Sequence, residues 1–242
     1  MIQDGAQQTL VDSVLMLGQS NMAGRGDFGE VKPIRNPLCY MLRMGRWQPM
    51  CEPVNPDRAI FEGRFRSGVS LAASFADAYA RCFQRPVGLI PCADGGTSLA
   101  QWMPGELNYD HAVLQAQLAA RSSCLKAIIW HQGESDCKSE EDLFSYKERF
   151  LTMLQQLRRD LRAEDVPVIL GELSETITEK WIPEGRCIQM NRNLRELAGE
   201  IPQCAIASAE GLTLKADGLH FDSAACREFG KRYFEAYRSL IK

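Results

Sequence analysis

Short apolar runs of strand length alternate with segments of helical spacing along most of this chain, and that alternation restricts the fold more than any other feature of the sequence. Val14-Leu15-Met16-Leu17, Leu38 to Leu42, Val87-Gly88-Leu89-Ile90, Leu125 to Trp130, Val166 to Leu173 and Cys204 to Ala207 read as strands. Between them, Leu71, Phe75, Tyr79 and Cys82 keep a helical period, as do Leu143, Tyr146, Phe150, Leu154, Leu157 and Leu161. Ser139 with Asp142 resembles a capping box for the second of these. A helix is expected from Asp110 through Val113, Leu114 and Leu118, another around Ile188 to Leu197, and a last one carrying Phe229, Tyr233 and Tyr237. Strand, helix, strand in series predicts a mainly parallel sheet covered on both faces, with right-handed crossovers. The region between Met44 and Gly68 shows no period and reads as a long loop, and loops of that length are usually functional or mobile.

The chemically distinctive residues fall directly after strands. Gly18-Gln19-Ser20-Asn21-Met22 follows the first strand, Ala93-Asp94-Gly95-Gly96-Thr97-Ser98 the third, and His131-Gln132-Gly133-Glu134-Ser135-Asp136 the fourth. In a parallel sheet all three stretches gather at the carboxyl edge, where reactive groups of open α/β folds sit. Ser20 is the candidate nucleophile; the same stretch also suits plain turn chemistry, with Ser20 or Asn21 as a helix cap.

A serine hydroxyl needs a base, and histidine matches that task near neutral pH. There are three histidines. His111 lies in an expected helix start and reads as a surface or capping residue. His131 is either a hydrogen-bonded structural residue or a substrate contact. His220 stands in Lys215-Ala216-Asp217-Gly218-Leu219-His220, where Asp217 can fold back across a glycine turn to hold the second ring nitrogen.

Together, Gly-Gln-Ser-Asn-Met, the Gly-Gly turn, Trp-His-Gln-Gly-Glu-Ser-Asp and Asp-Gly-Leu-His resemble the serial blocks of the SGNH hydrolase superfamily. Within it they resemble the carbohydrate-esterase branch of acetylxylan esterases and sialate O-acetylesterases. The resemblance runs from Leu15 to His220, and the Gly-x-Ser-x-Gly elbow of α/β-hydrolases is absent, since Met22 stands two residues after Ser20. It implies a single domain over residues 1–242: a three-layer α/β/α sandwich with a mainly parallel, flavodoxin-like sheet. It also implies Ser20 as nucleophile and His220 as general base. The oxyanion hole would comprise the Ser20 and Gly95 or Gly96 backbone N–H groups, Gly96 favoured, and the Gln132 side-chain amide. Asp217 and Glu134 both stand as candidate acid partners of His220, the short turn favouring Asp217. Gln19, Asn21, Trp102 and His131 are expected to touch substrate. The implied reaction is removal of O-acetyl groups from a xylan-derived or sialic-acid-type sugar, with no metal and no cofactor. Trp47 and Trp102 are candidates to stack on a sugar face or merely to cover apolar surface. Arg64 and Arg66 either contact a carboxylate or are solvated.

At 242 residues and 45% hydrophobic, the chain can fill one core. A net charge of -3 argues against nucleic-acid and membrane-surface partners. Residues 1–8 carry no basic, apolar leader pattern, so the expected setting is the cytoplasm. Nine cysteines without a Cys-x-x-Cys pair read as mostly reduced core thiols. Oligomeric state is not legible. Two other readings share the residues: a phosphate- or nucleotide-binding α/β protein using the Gly95-Gly96 turn as an anion nest, and a sugar-binding module without turnover.

Overall fold

The computed structural model describes residues 10–56 and 66–241; Arg64 and the first nine residues, on which the leader reading rests, lie outside these. Seven strands form one sheet in the order β3-β2-β4-β1-β5-β6-β7. They are β1 (Val11–Gly18), β2 (Cys39–Arg43), β3 (Arg46–Pro49), β4 (Val87–Pro91), β5 (Ser123–His131), β6 (Val168–Gly171) and β7 (Cys204–Ala207). Every pairing is parallel except β2 with β3. From β1 the chain moves out to β2 and the edge strand β3, comes back in to place β4 beside β1, and then lays β5, β6 and β7 outward on the other side. The order therefore reverses between β1 and β5, and the crevice outside their carboxyl ends is the switch point where such sheets bind ligands.

The period-two pattern of β1 explains the layers. Val14 and Met16 point into one core and Leu15 and Leu17 into the other. The first core is closed by helices α2 (Leu71–Phe83) and α6 (Ser223–Leu240), the second by α3 (Leu107–Ala119), α4 (Glu140–Leu161) and α5 (Arg186–Glu200). This is the α/β/α sandwich expected from the sequence. The helix starts follow capping chemistry: Ser70 accepts from the Ala72 N–H, Ser139 from Asp142 and Asp222 from Ala225. Among the described residues no helix is long and apolar enough to cross a membrane. The cysteines are free thiols, six of them buried and Cys51, Cys82 and Cys124 exposed.

Three expectations change. The aperiodic stretch after Met44 contains β3, joined to β2 by a two-residue hairpin with positive φ at Met44 (49°) and Gly45 (72°). Both central residues in that region match a type I′ turn, but methionine is a poor advertisement for it. Trp47 on β3 covers Gly88, where an added Cβ would lie 2.4 Å from the indole. Gly88 pairs with Ser13 near the start of β1, so Trp47 stacks over the sheet far from the carboxyl edge rather than on a sugar. Helix α3 begins at Leu107, ahead of Asp110, and buries Ala112, Ala116 and Ala119 while Leu114 is exposed. After Asn108 and Tyr109 in its first turn, its packed face is made of alanines, which a search for large apolar side chains passes over.

Candidate active site

Strand β1 ends at Gly18, whose φ is +128° and where a Cβ would sit 2.0 Å from the His131 carbonyl oxygen. Only glycine lets β1 and β5 close up here. The Gln19 N–H then donates to that carbonyl at 2.9 Å, and the chain enters the single turn α1 (Ser20–Ala23). Ser20 is thus delivered to the carboxyl edge, 6% exposed. On the far side, the loop before α6 folds so that Asp217 Oδ1 accepts from the Leu219 and His220 N–H groups at 2.9 and 3.0 Å. Gly218 makes that turn with φ +70°. The second oxygen of Asp217 meets His220 Nδ1 at 2.8 Å, and His220 Nε2 meets Ser20 Oγ at 3.0 Å.

Acid, imidazole and hydroxyl are therefore in line across 200 residues of sequence. With the proton on Nδ1, held by Asp217, Nε2 is left to accept from Ser20. Partial burial pushes the Asp217 carboxyl up, but the two backbone N–H groups and the His220 ring outweigh it and hold it below the usual carboxylate range.

Among the described residues no hydrogen bond joins the other candidate carboxylate to the ring of His220. Glu134 Oε1 accepts from Asn21 Nδ2 at 2.7 Å and lies 3.4 Å from His131 Nε2, in full burial. Asn21 in turn holds the backbone on both sides of His220, donating to the Leu219 carbonyl at 3.4 Å and accepting from the Phe221 N–H at 3.1 Å. Asn21 and His131 are thus structural, not substrate contacts: His131 is fully buried between Phe221 and Phe229, with Nδ1 3.2 Å from the Tyr233 hydroxyl. Trp102 is likewise no stacking platform, since it is buried edge-on to Trp130 and donates to Thr97 Oγ1 at 3.0 Å.

Gln132 also departs from its expected role. Its amide nitrogen is committed to Asp136 Oδ2 at 2.5 Å, the Thr97 carbonyl at 3.0 Å and Gln19 Oε1 at 3.2 Å. Asp136 ties this cluster to the Gly-Gly turn by accepting from the Leu99 N–H, and Arg149 lies 3.3 Å away. Burial pushes the Asp136 carboxyl up to about 6, against the pull of Gln132, the Leu99 N–H and Arg149. A raised acid stabilises the fold most below its unfolded value, near 4, and loses that contribution as pH rises through about 6. Urea titrations should accordingly show Asp136→Asn flattening the pH dependence of stability between about 4 and 6 relative to wild type.

A cavity of about 160 Å³ opens beside Ser20 and His220. Gly95 and Gly96 line it, and a Cβ at Gly95 would lie 3.7 Å from Ser20 Cβ. Arg25, Lys138, Trp181, Ile182 and Leu219 complete its rim. Sequence reading missed these five, because Trp181 and Ile182 stand in a stretch that looks like a featureless polar loop. The Trp181 Nε1–H bond to the Asp217 carbonyl, 2.8 Å, is a tertiary contact with no local signal. Arg66 is exposed and stands apart from the cavity lining. Among the described residues no group of three or more His, Cys, Asp or Glu is placed to hold a metal ion.

This α/β/α sandwich sets a serine at the end of its central strand in hydrogen-bond reach of a histidine, and its family match makes the chain a carboxylic ester hydrolase. Residues 11–239 match the family described as carbohydrate esterase, sialic acid-specific acetylesterase. The chain belongs to that family. A probable carbohydrate esterase of Arabidopsis thaliana is 30% identical over 246 residues, covering 93% of this chain and 89% of the relative. The crystal structure of this Arabidopsis protein superposes with a TM-score of 0.83 at 26% identity, over 95% and 98% of the two chains. NanS superposes at 0.76 with 17% identity over 97% and 98%. A carbohydrate acetylesterase from Xanthomonas citri does so at 0.65 with 16% identity, over 95% of this chain and 56% of its own. At these lower identities the likeness is one of fold.

Proposed function

We propose that the protein removes O-acetyl groups from a carbohydrate by a two-step acyl transfer through Ser20. The observation that carries the reading is the Asp217–His220–Ser20 line, with spacings of 2.8 and 3.0 Å. Ser20 Oγ attacks the acetyl carbonyl carbon while its proton passes to His220 Nε2. The imidazolium, stabilised by Asp217, gives that proton to the departing sugar oxygen. Water, deprotonated by the same ring, then attacks the acetyl-serine, and the imidazolium returns that proton to Ser20 Oγ as the ester bond breaks and acetate leaves. Backbone N–H groups of Ser20 and of the Gly95-Gly96 turn face the carbonyl oxygen as it becomes negative.

The cavity volume of about 160 Å³ and its Trp181, Ile182 and Leu219 walls suit a small acyl group. Arg25 and Lys138 on the same rim favour a sugar bearing a carboxylate, of the sialic-acid type, over neutral xylan. The test is acetate release from a panel holding O-acetylated sialic acid, acetylated xylo-oligosaccharides and p-nitrophenyl acetate. The expected result is turnover of the small ester and a kcat/KM at least tenfold higher for the acidic sugar. Equal rates on the two sugars would remove the carboxylate preference, and no acetate from any of them would remove the esterase reading.

A further inference from the structure

We propose that the third donor of the oxyanion pocket is the side-chain amide of Gln19. This rests on the serine-esterase reading above and adds to it a group that touches the reacting oxygen. Gln132 has no donor to spare. The two hydrogens of its Nε2 already face three acceptors, and its Oε1 accepts from the Tyr146 hydroxyl at 3.0 Å. It is fully buried and does not line the cavity beside Ser20.

Gln19 has the opposite accounting. Its Oε1 receives the Ser135 N–H at 3.3 Å and Gln132 Nε2 at 3.2 Å. A backbone N–H can only donate, so that end of the Gln19 amide must be the oxygen, and the other end is the NH₂ group. Among the described residues no hydrogen bond uses this Nε2, although Gln19 is only 3% exposed. Gln19 lines the cavity together with Ser20, Gly95, Gly96 and His220. A donor so placed has no protein acceptor among the described residues, is not sealed off inside the protein, and gains an acceptor when the ester carbonyl becomes an oxyanion. Its backbone is pinned to His131 and its oxygen to Ser135 and Gln132, so the amide needs little reorganisation to meet the charge.

Gln19→Glu separates this role from support of the loop. It keeps an oxygen for the Ser135 N–H and the Gln132 amide, and puts a second oxygen where the donor stood. Steady-state kinetics on p-nitrophenyl acetate should show kcat falling by about 10²–10³-fold with KM changed less than threefold. Affinity for a trifluoromethyl ketone, which forms a tetrahedral adduct with an active serine, should fall in parallel. Gln19→Leu, which also removes the donor, should lose a similar factor in kcat and serves if the glutamate variant does not fold. A kcat within threefold of wild type in either folded variant overturns the assignment. Wild-type protein without esterase activity, or Ser20→Ala with undiminished activity, takes down the esterase reading and Gln19 with it. Activity that requires Ser20 but tolerates Gln19→Glu removes Gln19 alone.

Discussion

Ser20→Ala is expected to cut acetyl-ester turnover by about a million-fold, the scale seen when a serine hydrolase loses its nucleophile, while leaving the fold intact. The fold should persist because, among the described residues, the one hydrogen bond of the Ser20 hydroxyl is to the His220 ring, whereas the α1 turn is closed by the Gln19 carbonyl, which accepts from the Met22 and Ala23 N–H groups at 3.0 Å each. Asp217→Asn should follow, with a loss in kcat of roughly 10⁴-fold. The asparagine can offer its NH₂ to the ring, which then presents the wrong nitrogen proton to Ser20. Glu134→Gln preserves an oxygen for Asn21 and should lower kcat by no more than about tenfold, since Glu134 acts on His220 only through Asn21. Circular dichroism on each variant, with rates on p-nitrophenyl acetate, checks the ranking. Full turnover in Ser20→Ala would end the mechanism, and a larger loss in Glu134→Gln than in Asp217→Asn would reverse the acid assignment.

Glu134→Ala carries the second large effect, on stability. It leaves the Asn21 amide and the fully buried His131 ring facing a void, and each buried polar group deprived of its partner typically costs about 1–3 kcal/mol. The melting temperature should fall by on the order of 10 °C. Complete burial pushes the Glu134 carboxyl up, but the neighbouring His131 and Asn21 outweigh it and hold it below the usual carboxylate range. A depressed acid contributes stability above its unfolded value and loses it as pH falls through the folded one. Wild-type protein should therefore lose stability more steeply on acidification below about pH 4 than Glu134→Gln does. Parallel slopes in chemical denaturation at a series of pH values would show that Glu134 is not the group responsible.

Local signals carried much of the architecture. Apolar runs bounded by proline and glycine marked six strands, and Ser70, Ser139 and Asp222 stand at helix starts where side-chain oxygens meet free N–H groups. The Met44-Gly45 turn did not advertise itself, because backbone handedness there is set by the pairing of β2 with β3 rather than by turn-forming residues. Helix α3 was misplaced for a related reason. Past Asn108 and Tyr109 its buried face is alanine, and alanine is apolar without being periodic to the eye.

For the site, sequence alone determined which residue types follow which strand, and a parallel sheet then obliges Ser20, Gly95-Gly96 and His131 to Glu134 to share one edge. It also favoured Asp217 over Glu134 as the partner of His220, since three residues and a glycine turn suffice to close that pair, but left both carboxylates standing; the packed structure joins Asp217 to the ring. Side-chain direction was decided by the tertiary structure. Burial behind the strand ends turned Asn21, Trp102, His131 and Gln132 into the core network, because a buried polar atom must find a partner and the nearest ones lie inside. Packing of the loop around Trp181 against Asp217 likewise decided what walls the cavity. Strand order specifies who can meet; only the packed interior, where each donor takes the acceptor that space allows, specifies who does.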